Sequence, residues 1–202
     1  MIIRIALIFA TLTLANNAIG QWVSDHSIDP FDKVETHRAY GFGTKIDDEY
    51  TSFGIRCDNR NKLLITTGFA TDLDTPNAYI DLAFKVDGYE PIFLQGRLYM
   101  NSVKSAFVRM NQSNKVLLNR LIDQSLKGNV VSIRASNKEQ TTFVDYEVPL
   151  IGFTRHSAST RVSCGIGYEK VDMLAEDKAE LKRLNLLLDS IKEKIAAIEG
   201  KY

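Results

Sequence analysis

Two cysteines, three histidines and a short run of hydroxyl side chains are the residues of this chain whose types could do chemistry. Cys57 and Cys164 admit a single pairing, and in an oxidising compartment a lone pair of thiols is bridged rather than free. A loop of that length restricts the unfolded chain by roughly 4–5 kcal/mol in the chain-entropy picture. His26, His37 and His156 stand at no ligand spacing from either cysteine, so the reading is that neither metal nor cofactor is bound. His156 beside Ser157 and Ser159 has the composition of a hydrolase pair. Neighbours in sequence do not fix a geometry, however, and no acid can be named to orient the imidazole.

Other chemical signatures are missing. Asp47-Asp48-Glu49 lacks the spaced ligands and glycine of a calcium loop and reads as a solvated turn. Gly41-Phe42-Gly43 and Gly165-Ile166-Gly167 lack the strand–helix setting and the further glycine of a phosphate loop. No G-x-S-x-G elbow and no H-E-x-x-H occurs. Asn111-Gln112-Ser113 is a glycosylation sequon, of use only in a eukaryotic secretory route. Nothing argues positively for an enzyme. With 25 basic and 25 acidic side chains the net charge is zero, which argues against a nucleic-acid binder.

The elements that would position these residues begin after residue 20. Arg4 precedes the uncharged apolar run Ile5–Ala15, and Ala18-Ile19-Gly20 supplies small residues where a signal peptidase cuts. The run is shorter than the ~20 apolar residues of a membrane span. The pattern predicts a signal peptide over 1–20, a mature chain from Gln21 and no stable membrane span after cleavage; an uncleaved anchor or a buried first element are the alternatives. No cysteine follows the run to carry a lipid.

Thr51–Phe69 organises the rest. Phe53, Ile55 and Cys57 share one strand face, Leu63, Ile65 and Thr67 another, and Asp58-Asn59-Arg60-Asn61 supplies the turn of a β-hairpin. Further strands are expected at Lys33–Gly43, Asn77–Val86, Pro91–Met100, Ser102–Met110, Asn129–Ala135 and Thr141–Val148. One amphipathic helix is expected at Asn114–Lys127, capped by Ser113 and Gly128, with Leu117, Leu118, Leu121, Ile122 and Leu126 facing the sheet. Arg155–Ser163 reads as a polar loop leading to Cys164. Trp22, the only tryptophan, is either a partly buried anchor or a ligand contact.

From Asp172 the pattern changes. Leu174, Leu181, Leu188, Ile195 and Tyr202 recur every seven residues, and Leu184, Ile191 and Ile198 take the complementary positions, broken by Asp177. That is the seam of a coiled coil, and Leu before Ile favours more than two strands. The alternative is a helix folded back on its own sheet. The expected architecture is therefore α+β, mainly β: an antiparallel sandwich-like domain over 21–168 with one packed helix, followed by a long coiled-coil helix over 169–202.

Trp22, Phe53-Gly54-Ile55-Arg56-Cys57, the helix at Asn114–Lys127, Val131-Ser132-Ile133-Arg134, Val148-Pro149-Leu150-Ile151-Gly152-Phe153 and the late Cys164 form a set. Across Gln21–Cys164 this set resembles the VasI-type periplasmic accessory proteins associated with type VI secretion and, more loosely, the invasion-associated locus B proteins. The resemblance implies a β-rich periplasmic fold with bridged cysteines and an accessory or binding role. The heptad tail departs from that family, leaving a type VI role and a repurposed or phage-borne relative both open. The leading expectation is a periplasmic or secreted, non-catalytic homo-oligomer that binds an envelope protein or a cell-wall partner. An inhibitor of an envelope enzyme such as lysozyme, and a hydrolase built on the His156 loop, are the alternatives.

Overall fold

The computed structural model describes residues 22–199 except 47, 59–61 and 167–174, with backbone only for Thr44 and for residues 175–181, 198 and 199. The expected signal peptide thus lies outside the described residues. The chain divides into two compact units, one ending at Gly167 and the other starting at Tyr168.

In the first unit, period-two alternation builds nine strands: β1 (Trp22–Ile28), β2 (Glu35–Ile46), β3 (Glu49–Asp58), β4 (Lys62–Gly68), β5 (Tyr79–Val86), β6 (Ile92–Leu98), β7 (Ser105–Arg109), β8 (Val130–Asn137) and β9 (Phe143–Pro149). All pair antiparallel in one sheet, in the order β1-β2-β3-β4-β7-β6-β5-β8-β9. The sheet is mainly β and antiparallel as expected, but it is one curled layer instead of two facing sheets, because β9 returns to lie against β2 and β3. Strand β1 was not expected at all. Its pattern is polar, and only Trp22 in it is fully buried.

The organising hairpin forms in the expected register, with Phe53 opposite Thr67, Ile55 opposite Ile65 and Cys57 opposite Leu63. These side chains point into the curl, where Phe53, Ile55, Cys57, Leu63, Ile65, Ile80, Phe84, Val131 and Val148 are all buried. In β5 the buried positions are Ile80, Leu82, Phe84 and Val86, as the alternation requires.

Helix α1 (Lys115–Lys127) buries Leu118, Leu121 and Ile122. Ser113 does not cap it. The N-cap position is Asn114, with no side-chain cap bond, and the Asn111 carboxamide oxygen holds the turn before the helix, accepting the backbone N–H of Ser113 at 2.9 Å and of Asn114 at 3.1 Å. Gly128 ends the helix at φ −93°, so left-handed freedom is not its use. A Cβ there would collide with Val86 Cγ1, and close approach is what demands glycine. The segment expected to be a polar loop forms two short helices, α2 (Phe153–His156) and α3 (Ala158–Ser163), which bury Phe153 and Thr160. Cys164 follows α3 and is bonded to Cys57, with the Cα atoms 5.7 Å apart.

Trp22 is the residue that closes the curl. Its ring is 5 % exposed and meets Phe53 and Phe153 edge-on at centroid distances of 6.2 and 4.9 Å. Its indole N–H donates to the Pro149 carbonyl at 2.7 Å, joining β1 to β9, the two edge strands. Opposite it in β2 stands Gly41, where a Cβ would run into the indole. Trp22 is thus part of the core, with its N–H committed to Pro149. A second tie crosses the same seam, from the buried Tyr146 hydroxyl of β9 to the Ser52 carbonyl of β3 at 2.9 Å. Burial alone pushes that phenol well above its ordinary pKa.

The second unit contains α4 (Ala175–Glu199). Its described side chains include Leu184, Leu187, Leu188, Ile191 and Ile195, all exposed. The seam positions Leu174 and Tyr202, and the side chains of Asp177, Leu181 and Ile198, lie outside what is described.

Trp22→Ala is expected to cost about 3–5 kcal/mol in urea unfolding, the usual range for emptying a buried aromatic site. Trp22→Phe keeps much of the packing and should cost less, losing the tie to Pro149. Cys57→Ser is expected to lower the unfolding free energy by about 2–5 kcal/mol, measured by the same titration under non-reducing conditions.

Candidate functional site

The β1–β2 connection sets the geometry of the one cluster of metal-ligating side chains among the described residues. Asp29 accepts the backbone N–H groups of Phe31 and Asp32 at 2.7 and 3.2 Å, and Asp32 accepts that of Val34 at 3.0 Å. The Asp29 N–H donates to the Val34 carbonyl at 2.9 Å. These short-range bonds hold a tight turn and so set the strand register, because a turn of given length admits one pairing. In that register His26 lies directly opposite His37. Directly opposed residues of an antiparallel pair share a face, and so do residues two apart on one strand. Glu35 therefore joins both histidines.

The side chains converge. The His26 Nε2–H donates to Glu35 Oε1 at 2.7 Å and the His37 Nε2–H donates to the same oxygen at 3.1 Å. A carboxylate only accepts, so both ring nitrogens carry the proton there. The two imidazoles stack with centroids 4.4 Å apart and planes 20° from parallel. One ligand atom from each of the three residues falls within 4.8 Å of the other two. The hydrogen bonds to His26 and then to His37 hold the Glu35 carboxyl below the ordinary carboxylate pKa.

The cluster occupies a row that continues inward. His37 stands opposite Cys57 in the next register, so His26, His37 and the bridged Cys57 lie side by side across β1, β2 and β3. Exposure falls along the row, from 49 % for the His26 side chain to 19 % for that of His37. The His37 Nδ1 atom is buried and has no hydrogen-bond partner. In the sequence these histidines stand at no ligand spacing from either cysteine, and the cluster uses neither cysteine. Glu35-x-His37 is a legible fragment of the cluster, since two ligands two residues apart face the same way on a strand. Its third member depends on β1, which the sequence did not reveal.

His156 lies elsewhere. Its Nδ1 is 3.4 Å from the Ser24 hydroxyl in an exposed position. Ser157 is buried and accepts a bond from Arg161 Nε at 3.1 Å. Among the described hydrogen bonds none joins a hydroxyl or thiol to a histidine that also carries a carboxylate, so the hydrolase pair has no orienting acid. The outer face of β5, β6, β8 and β9 carries a groove of about 490 Å³ with exposed Phe93 at one side. Two pairs of its polar groups are bonded to each other: Arg134 grips Asp145 at 2.7 and 3.0 Å, and Ser132 donates to Glu147 at 3.0 Å.

Among the described residues no helix is long and apolar enough to cross a membrane. The chain matches no family model, no curated protein and no solved structure.

Because the folded-state pKa of Glu35 is depressed, its hydrogen bonds stabilise the fold above the unfolded carboxyl pKa of ~4.3 and are lost as pH falls through the lower folded value. Carboxyl-carbon NMR titration should place the Glu35 midpoint below that of an unperturbed glutamate. His26→Ala should move it back upward, because the leading donor is gone.

Proposed function

We propose that this chain is an exported, non-catalytic envelope protein, periplasmic or secreted, whose β head binds a protein or cell-wall partner and is multimerised through its C-terminal helix. The observation that carries the multimeric part is the apolar stripe of α4, in which Leu184, Leu188, Ile191 and Ile195 keep heptad spacing and are exposed. The 25 residues of α4 span ~37 Å at 1.5 Å each. An exposed apolar stripe on such a helix favours association with copies of itself, since burying Leu and Ile yields roughly 25 cal/mol per Å².

Export is supported by the Cys57–Cys164 bridge, which suits an oxidising compartment, and by the signal-like pattern over 1–20. A binding role in place of catalysis is supported by the missing acid beside His156. The resemblance to VasI-type accessory proteins points the same way. Joining several heads raises avidity with no new contact, which suits a head of modest affinity.

Light scattering on the mature protein at tens of micromolar tests the assembly. The expected result is a trimer or tetramer that Leu188→Asp dissociates, with the β-sheet circular dichroism of the head unchanged. A monomer indifferent to that substitution would overturn the oligomer.

A further inference from the structure

We propose that His26, Glu35 and His37 form a binding site for a divalent transition-metal ion of the zinc class, with the ion held by His26 Nε2, His37 Nε2 and a Glu35 carboxylate oxygen. Two imidazoles and one carboxylate are the donor set of open zinc sites, in which the remaining position is left to water. Imidazole nitrogen also selects against calcium and magnesium, which take oxygen donors.

The fold brings the donors of such a site together before any ion arrives. Two ring nitrogens are aimed at one carboxylate oxygen, at 2.7 and 3.1 Å, and the three donor atoms lie within 4.8 Å of one another. A bound ion replaces the two N–H protons that now point at that oxygen, and each imidazole then carries its proton on Nδ1. The backbone has little to move, because both strands are held, and the two stacked rings turn about their side-chain torsions to bring both in-plane lone pairs onto one ion. Trp22 pins one end of β1 in the core, the Asp29–Val34 turn pins the other, and His37 stands opposite the disulfide-bonded Cys57. Preorganised ligands of this kind lose little freedom when the ion binds.

One feature limits affinity. The Nδ1 of His37 is buried without a partner, so the metal-bound tautomer leaves an unpaired N–H there. A missing outer-shell partner of this sort weakens zinc by about 10–100-fold relative to a fully supported site. The site is therefore suited to an exchangeable ion. An ion held across β1 and β2 also staples the edge strand to the sheet.

Isothermal titration of the untagged mature protein with zinc chloride tests this. The expected result is one equivalent bound, weakened at least tenfold in His26→Ala and in Glu35→Gln, and unchanged in His156→Ala, which alters the only other histidine. His26 is half exposed, so its replacement leaves the core intact. Electron paramagnetic resonance of the unmutated chain with one equivalent of copper(II) gives an independent reading, with splitting from two equatorial nitrogens expected. No saturable zinc binding, binding that survives His26→Ala, or a copper spectrum without two nitrogen ligands would each overturn the site.

Discussion

One side chain bonds the two edge strands of this sheet directly to each other. An open antiparallel sheet of nine strands leaves two rows of unpaired backbone groups, each an invitation to pair with another chain. Here the sheet curls until β9 lies against β2 and β3, and Trp22 on one edge strand donates to the carbonyl of Pro149 on the other. The bond is part-buried beside an aromatic cluster with Phe53 and Phe153, which shields it from water on that side. Gly41 is part of the same device, since the indole lies where any other residue would place its Cβ.

The disulfide extends that closure. Cys57 faces into the curl from β3, and its bond to Cys164 draws the chain segment bearing α2 and α3 over the sheet. Phe153 of α2 is thereby kept against Trp22. The covalent and aromatic ties work on two rows of one face, with the row of Ser24, Ala39 and Ile55 between them: Trp22, Gly41 and Phe53 form one, and His26, His37 and Cys57 form the other. The first row is wholly buried. The second runs from the bridged core out to solvent, so polar side chains there are held by core packing and remain reachable. That combination of rigid support and access is what makes the histidine pair a candidate for chemistry, and His156, oriented by no acid, a weaker one.

Elements with strong internal periodicity were legible from the chain alone. The hairpin at Thr51–Phe69, the buried alternation in Asn77–Val86 and the helix at Asn114–Lys127 each carry their own pattern, because side-chain direction repeats every two or 3.6 residues whatever the surroundings. Elements whose residues are fixed by distant partners were not. Arg155–Ser163 is polar enough to read as loop, yet Phe153 and Thr160 bury it as two short helices. Ser113 does not cap the helix, because the Asn111 side chain ties the Ser113 hydroxyl and N–H into the preceding turn, a choice that residue type alone does not decide.

By itself the sequence determined the mainly β class, the one possible disulfide pairing, the helix that packs on the sheet and the heptad stripe of the tail. Each follows from composition or from short-range period. Only the tertiary structure decided that the strands form one curled sheet, that Trp22 is buried as its closing tie, and that His26, Glu35 and His37 meet. The physical reason is the same in all three cases. They depend on which strands become neighbours and in what register, and β1 carries too little apolar alternation to announce that it is a strand at all.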